Sequence, residues 1–196
     1  MTNPKEEKTL LLIKPDGVKR GLIGEVIKRI EQRGLKIIAL KMLWPTRQQI
    51  DEHYPKDATW IKRLGEKAIN NLQSFGYDPK EKLGKDDPEE IGQEIREWLF
   101  NYMTSGPIVA MVIEGVYAIR MVRKICGKTI PAEAEMGTIR GDYSCDGSLL
   151  ANLSKRAIHN LVHASETPEE AEKEIKHWFS LDELYSYKRS EEDIMF

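Results

Sequence analysis

Hydrophobic positions change period along the chain, and the changes outline its elements. Residues 9–14, Thr-Leu-Leu-Leu-Ile-Lys, form a short apolar run closed by Pro15-Asp16-Gly17, which predicts a buried strand followed by a turn. Leu22, Ile23, Val26, Ile27 and Ile30 then recur at helical spacing over 22–33, with Gly34 as the stop. Residues 35–44 return to a Leu/Ile-rich strand pattern ended by Pro45. Thr46 is placed to cap a short helix through Tyr54, and Ile61, Leu64, Ala68, Ile69 and Leu72 share one helical face over 56–75. Residues 76–87 carry Gly, Pro and charge and predict a loop. Asp87-Pro88-Glu89-Glu90 signals a helix start, and that helix runs to about Met103. Residues 108–113 predict a third buried strand, 116–126 a helix, 127–150 an irregular stretch and 160–165 a fourth strand. Thr167-Pro168-Glu169-Glu170 opens a last helix.

The order strand–helix–strand, repeated after a helical interlude, predicts an α+β chain: a ferredoxin-like βαββαβ antiparallel sheet with helices on one face, plus an inserted helical segment. Its 196 residues suit a single domain spanning 1–196. The 30 basic and 32 acidic residues nearly cancel to a net charge of -2, so nothing global attracts nucleic acid or anionic lipid, and an anion site must be local. Cys126 and Cys145 fit no metal or redox spacing and are expected to act as small core residues in a reducing compartment. The polar opening Met1–Lys8 and the lack of a membrane-length apolar run make a cytoplasmic, soluble protein the expectation.

Candidate chemistry begins with phosphate. Gly127-Lys128-Thr129 has the end of a phosphate-binding P-loop but Val122 stands where its first glycine belongs, and no Gly-x-Gly-x-x-Gly occurs. Among four histidines, His53 and His177 lie in helical stretches and His159 in a polar turn, where ordinary packing or solvent-facing roles are expected. His163 ends an apolar run beside the small residues Ala164 and Ser165, with Glu174 on the following helix. Taken alone, His163 reads more readily as a buried structural histidine than as a nucleophile. Lys14, Arg123, Thr129 and Arg140 add what phosphoryl transfer needs if they converge: fixed cations around a nucleophile whose second nitrogen is held by a carboxylate.

Several blocks then carry a resemblance. Ile13-Lys14-Pro15-Asp16-Gly17-Val18 with Arg20-Gly21-Leu22-Ile23-Gly24, Glu52-His53-Tyr54, Met103 with Ser105-Gly106-Pro107, Thr138-Ile139-Arg140-Gly141-Asp142 and Asn160-Leu161-Val162-His163-Ala164-Ser165-Glu166-Thr167 follow one another in the order of the nucleoside diphosphate kinase family, which the chain resembles from residue 9 to about 185. The resemblance implies ping-pong transfer of a terminal phosphate between nucleotides through phosphohistidine at His163. It makes Glu174 and Ser165 the supports of that ring, and Tyr54 a wall of the phosphate site. Lys14, Arg123, Thr129 and Arg140 would hold phosphates, Asn160 and Lys14 the sugar hydroxyls, and Leu99 would line the nucleotide cleft or pack its own helix. Mg2+ is expected to arrive with ATP and other nucleoside tri- and diphosphates, and a homo-oligomer, hexamer or tetramer, is expected.

The chain departs from the family's pattern near 56–97 and 143–159, both of which read as insertions, and Ile95 falls where an aromatic residue normally stacks on the base. The first insertion is expected to enlarge the family's lid over the base, the competing reading being a docking surface for a neighbouring subunit or another protein. Trp60 is its candidate aromatic, although alone it reads more readily as helix–helix packing. Three other readings stay open on sequence alone: a non-catalytic nucleotide-binding relative, a histidine phosphocarrier, and a nucleic-acid-binding module. The first two leave part of the His163, Lys14, Tyr54, Arg123, Thr129 and Arg140 set unexplained, and the charge balance disfavours the third.

Overall fold

The computed structural model describes residues 6–195, so most of the polar opening lies outside it. Four strands, β1 (Glu7–Ile13), β2 (Lys36–Leu43), β3 (Ile108–Gly115) and β4 (Val162–Ala164), form one antiparallel sheet in the order β2-β3-β1-β4. That order is the ferredoxin-like arrangement expected from the element sequence. The helices are α1 (Pro15–Lys19), α2 (Ile23–Gln32), α3 (Arg47–His53), α4 (Ala58–Ser74), α5 (Pro79–Leu83), α6 (Pro88–Met103), α7 (Ala118–Cys126), α8 (Ile139–Tyr143), α9 (Ser148–Leu153), α10 (Pro168–Trp178) and α11 (Glu192–Met195).

Alternation along β1 sorts the core into two layers. Leu11 and Ile13 pack with Met111 and Ile113 against Val26 and Ile30 of α2 and Ala118, Val122 and Cys126 of α7. The two crossover helices thus share one face, as expected. The opposite face is not open. Leu10, Leu12, Ala110 and Val112 are covered by Ile50 of α3, Phe100 and Met103 of α6, and Ile175 and Trp178 of α10. A strand buried on both sides reads as continuous apolar sequence, which is why β1 shows no polar alternation.

Side chains complete the helix starts. Thr46 accepts from Gln49 N–H and closes a capping box, while Asp87 Oδ1 accepts from both Glu89 and Glu90 N–H. Helices α4 and α6 cross so closely that a Cβ on Gly65 would lie 1.9 Å from the Pro88 carbonyl oxygen, and one on Gly92 would lie 2.0 Å from that of Ile61. Only glycine fits at either position.

Four expectations need correction. Pro15-Asp16-Gly17 is not a bare turn but the start of α1, with Pro15 in its first turn. The loop 76–87 contains α5, capped by Asp78, and the stretch 127–150 contains α8, the first half of α9 and a 3-10 turn at Pro131–Glu133. Cys126 is buried as expected, whereas Cys145 is exposed.

Candidate active site

Strand β4 is only three residues long, yet its register fixes the site. His163 pairs with Leu12 across the β1 ladder, so its side chain joins the sheet face covered by α3 and α10. On that face His163 Nε2 lies 2.7 Å from Glu174 Oε1, and Ser165 Oγ donates to Glu174 Oε2 at 2.6 Å. Ser165 Oγ in turn accepts from Leu10 N–H at 3.2 Å, which ties the carboxylate to the central strand. Burial, helped by the Lys14, Arg140 and Arg123 charges, pushes His163 down to about 3, so its ring is neutral at physiological pH. A neutral imidazole carries one proton. With Nε2–H donated to the carboxylate, Nδ1 keeps its lone pair. Burial pushes the Glu174 carboxyl up.

The turn leading into β4 is strained. Leu161 has φ 67, and Val162 N–H donates to the Asn160 carbonyl at 2.7 Å, a tight three-residue turn in the left-handed region. Such a conformation costs on the order of 1–3 kcal/mol and persists only where neighbours hold it. The neighbours are Lys14 N–H, donating to the Leu161 carbonyl at 2.8 Å, and Asp16 Oδ2, accepting from Leu161 N–H at 3.1 Å. Asp16 Oδ1 is itself fixed by the Tyr102 hydroxyl at 2.6 Å.

The expected cations converge. Lys14 is buried, and its Nζ donates to Asn160 Oδ1 at 2.7 Å. Burial, with the Arg140 charge close by, lowers it from 10.5 to about 7. Asn160 Nδ2 donates to the Thr129 carbonyl at 2.9 Å. Arg140 is buried and donates to three main-chain carbonyls: Nε to Asn160 at 3.1 Å, Nη1 to Gly127 at 2.6 Å and Nη2 to Val162 at 2.7 Å. A guanidinium carries five N–H donors, so two remain. Arg123 is exposed and pairs with Glu166 at 3.2 Å, a solvated contact easily exchanged for another anion. These groups and Tyr54, Thr129, Leu99 and His163 line a single cleft of about 660 Å3. Leu99 lines this cleft and also packs against the sheet's apolar layer.

Sequence reasoning passed over His53. Its ring meets that of His163 edge to face, 4.6 Å between centroids at 82°, and its side chain is 1% exposed. Trp178 Nε1–H donates to His53 Nδ1 at 3.3 Å, and burial holds the ring's pKa well below its ordinary value. The neutral ring therefore carries its proton on Nε2, a buried atom without a hydrogen-bond partner. Its Nδ1, 3.6 Å from Glu174 Oε1, is an acceptor and leaves that oxygen to His163. The family-like Glu52-His53-Tyr54 block was the signal available. Asp16 and Tyr102 were also missed, because Lys14-Pro15-Asp16-Gly17 reads first as a turn.

A neutral, carboxylate-held histidine and two buried cations opening on one nucleotide-sized cleft, all carried by a ferredoxin-like sheet, place the chain among the nucleotide-binding phosphotransferases. The chain belongs to the nucleoside diphosphate kinase family: the sequence model described as Nucleoside diphosphate kinase matches residues 7–71 and 86–184. A nucleoside diphosphate kinase of Pyrobaculum aerophilum is 51% identical over 178 residues, 91% of this chain and 97% of that one. Among solved structures, an NDP kinase from Pyrobaculum aerophilum superposes with TM-score 0.89 at 48% identity, covering 92% of this chain and 100% of that one. A nucleoside-diphosphate kinase from Borrelia burgdorferi, described as a transition-state mimic with bound vanadate and ADP, gives 0.77 at 33% identity, with 97% and 96% covered. The activity is accordingly transfer of the terminal phosphate of a nucleoside triphosphate to a nucleoside diphosphate.

Proposed function

We propose that this transfer runs by a ping-pong mechanism through phosphohistidine at His163. Nδ1 of the neutral ring attacks the terminal phosphorus. The bond to the bridging oxygen breaks, and its electron pair leaves with the diphosphate. The ring gains positive charge, which the Glu174 carboxylate, itself held by Ser165, balances through Nε2–H. In the second half-reaction a terminal oxygen of another diphosphate attacks the same phosphorus, and the N–P electron pair returns to Nδ1. Lys14, Arg140 and Arg123 supply charge to the phosphate oxygens, Thr129 and Tyr54 wall them in, Asn160 with Lys14 meets the sugar hydroxyls, and Leu99 lines the base side. The observation that carries this reading is the 2.7 Å contact of His163 Nε2 with Glu174 Oε1 inside a cleft lined by Lys14 and Arg140. A histidine with a fixed tautomer is what nucleophilic attack requires.

Mg2+ fits as part of the nucleotide. The one grouping of possible metal ligands among the described residues is His53, His163 and Glu174, a nitrogen-rich set unlike the oxygen ligands Mg2+ takes. The cleft's cations would meet the phosphates directly, and the ion, arriving with the nucleotide, would supply further charge neutralisation.

The described residues read as a single domain, with insertions near 56–97 and 143–159; residues 72–85, between the two matched stretches, lie outside the family match. A homo-oligomer, hexamer or tetramer, is supported by edge strand β2 and the turn after it, which leave Leu40 50%, Met42 55% and Trp44 65% exposed. No helix among the described residues is long and apolar enough to cross a membrane, and the unpaired Cys126 and Cys145 are compatible with a reducing cytoplasm.

The test is a labelled transfer. ATP labelled on its terminal phosphate should leave an acid-labile label on the protein, and unlabelled GDP should then collect it as GTP. His163→Ala should abolish both steps while leaving the fold intact. Transfer near wild-type rates in that variant rejects the mechanism.

A further inference from the structure

Two histidines and a carboxylate from three different elements meet at the nucleophile. His53 is the last residue of α3, His163 stands on β4 and Glu174 on α10. One ligand-capable atom of each lies within 4.8 Å of the other two. Glu174 Oε1 joins the group, 2.7 Å from His163 Nε2 and 3.6 Å from His53 Nδ1. The proposed transfer uses only the first of these contacts and gives His53 no step. Yet His53 is poorly satisfied for a side chain that is 1% exposed. Its Nδ1 has one long bond, 3.3 Å from Trp178 Nε1, and its Nε2 has no partner. A buried polar ring bonded so weakly is costly, and few hydrogen bonds hold it against turning toward a stronger ligand.

The donor set defines the class of that ligand. Two imidazoles and one carboxylate suit a borderline divalent ion, Zn2+ foremost, and three protein ligands with one open position is a common zinc arrangement. Zinc bonds of about 2.0–2.2 Å at tetrahedral angles set ligand atoms roughly 3.3–3.5 Å apart. The 3.6 Å between His53 Nδ1 and Glu174 Oε1 is close to that spacing, and the 2.7 Å contact of His163 has to open by roughly 0.6 Å. Burial keeps both rings neutral, so each has a nitrogen lone pair without first losing a proton. Lys14 and Arg140 oppose a dication here. The Glu174 carboxylate and phosphates bound in the cleft offset them, so nucleotide does not exclude the ion.

We propose that His53, His163 and Glu174 form an inhibitory zinc site, which silences the nucleophile by relocating one proton. Zn2+ takes a lone pair from His53 Nδ1, from His163 Nε2 and from Glu174, and displaces the Trp178 bond. His163 Nε2 has a lone pair only in the other tautomer, so the ring's single proton moves from Nε2 to Nδ1. The ring keeps its proton count and its neutral charge. What it loses is the free electron pair on Nδ1 that attacks phosphorus. The inference rests on the reading that assigns the attack to His163 Nδ1.

The test uses the full-length protein, Zn2+ as inhibitor and Co2+ as its visible stand-in. Zn2+ should abolish single-turnover labelling of His163 by saturating MgATP. A zinc-selective chelator should restore labelling, and more MgATP should not. Affinity for MgADP should stay within about twofold. His53→Phe fills the space without a ligand atom, and His53→Gln keeps an acceptor for Trp178 but is a poor zinc ligand. Each variant is compared with its own zinc-free rate, and half-inhibition should need at least roughly tenfold more Zn2+, since even an outer partner of a metal ligand commonly has that effect. Co2+ should give the intense visible absorption of a four-coordinate site in wild type and only the weak spectrum of the hydrated ion in both variants. Absence of inhibition, inhibition relieved by MgATP, or half-inhibition unchanged in the variants each overturns the site. A wild-type protein that fails to label at His163 without zinc rejects the underlying mechanism instead, and a Co2+ spectrum indifferent to His53 then overturns the site separately.

Discussion

Replacing Glu174 separates geometry from charge in the phosphoryl-transfer step. The carboxylate uses both oxygens, Oε1 toward His163 Nε2 at 2.7 Å and Oε2 toward Ser165 Oγ at 2.6 Å, and its residue is 4% exposed. Glu174→Ala leaves the His163 Nε2–H buried without an acceptor and frees the ring to turn or change tautomer. An orphaned buried donor costs about 1–3 kcal/mol, and the lost charged acceptor places the total near 3 kcal/mol, roughly a hundredfold in rate. Glu174→Gln keeps one carbonyl oxygen for His163. Its amide N–H2 then meets Ser165 Oγ, a hydroxyl able to accept it. What disappears is the charge, and the difference between a charged and a neutral hydrogen bond, about 1–1.5 kcal/mol, predicts a rate roughly tenfold below wild type. The assay is single-turnover labelling of His163 by excess ATP, which reads the chemical step apart from product release. The expected order is wild type, Gln, then Ala, each step about tenfold. Both variants within threefold of wild type would refute the role assigned to the carboxylate.

Lys14, lowered to about 7 against an ordinary 10.5, gives a pH signature. The unfolded chain binds more protons than the folded one between those values, so stability should rise with pH from about 7 to about 10.5, and Lys14→Met should flatten the rise in denaturant titrations. In the same protein kcat/KM should fall above pH 7 as the free enzyme loses its ammonium, while kcat holds further because bound phosphates favour the charged form; parallel profiles for the two parameters would contradict this. The glycine crossing predicts opposite effects of one substitution at two sites. Gly92→Ala, whose Cβ would sit 2.0 Å from the Ile61 carbonyl oxygen, should lose about 1–3 kcal/mol in thermal unfolding, whereas Gly24→Ala in α2, with nothing within 4 Å, should gain up to about 1 kcal/mol. Equal shifts at both positions would show that α4 yields freely.

The sequence was most legible where one physical signal dominated. Continuous apolar runs marked β1 and β3, Thr46, Asp87 and Thr167 marked helix starts through their caps, and Lys14, Arg140 and His163, which the fold brings to one cleft, were singled out through chemistry and resemblance together. Short helices were hidden because their signals compete. Pro15-Asp16-Gly17 satisfies a turn as well as a first helical turn, and Leu149, Leu150 and Leu153 of α9 sit in a stretch whose glycines and polar residues set the reading. The second apolar layer of the sheet was missed because β1 buried on two faces looks the same as β1 buried on one. The packing roles of His53, whose only signal was its family-like block, and of Gly92 were hidden for a different reason. Those roles lie in what crosses them in space, a ring of β4 in one case and a carbonyl of α4 in the other, and hydrophobic periodicity encodes neither contact.

The three carbonyls that hold Arg140 change where its ordering is settled. A flexible surface arginine must give up rotamer freedom and part of its hydration when it meets an anion, and that loss subtracts from affinity. Arg140 has undergone both changes by the time the chain is folded. Under the proposed mechanism its meeting with phosphate then needs little further ordering, and that entropy loss belongs to the stability of the protein. Arg140→Lys would keep the charge but return that entropy to the binding step, since one ammonium cannot span the carbonyls of Gly127, Asn160 and Val162 in the plane of a guanidinium.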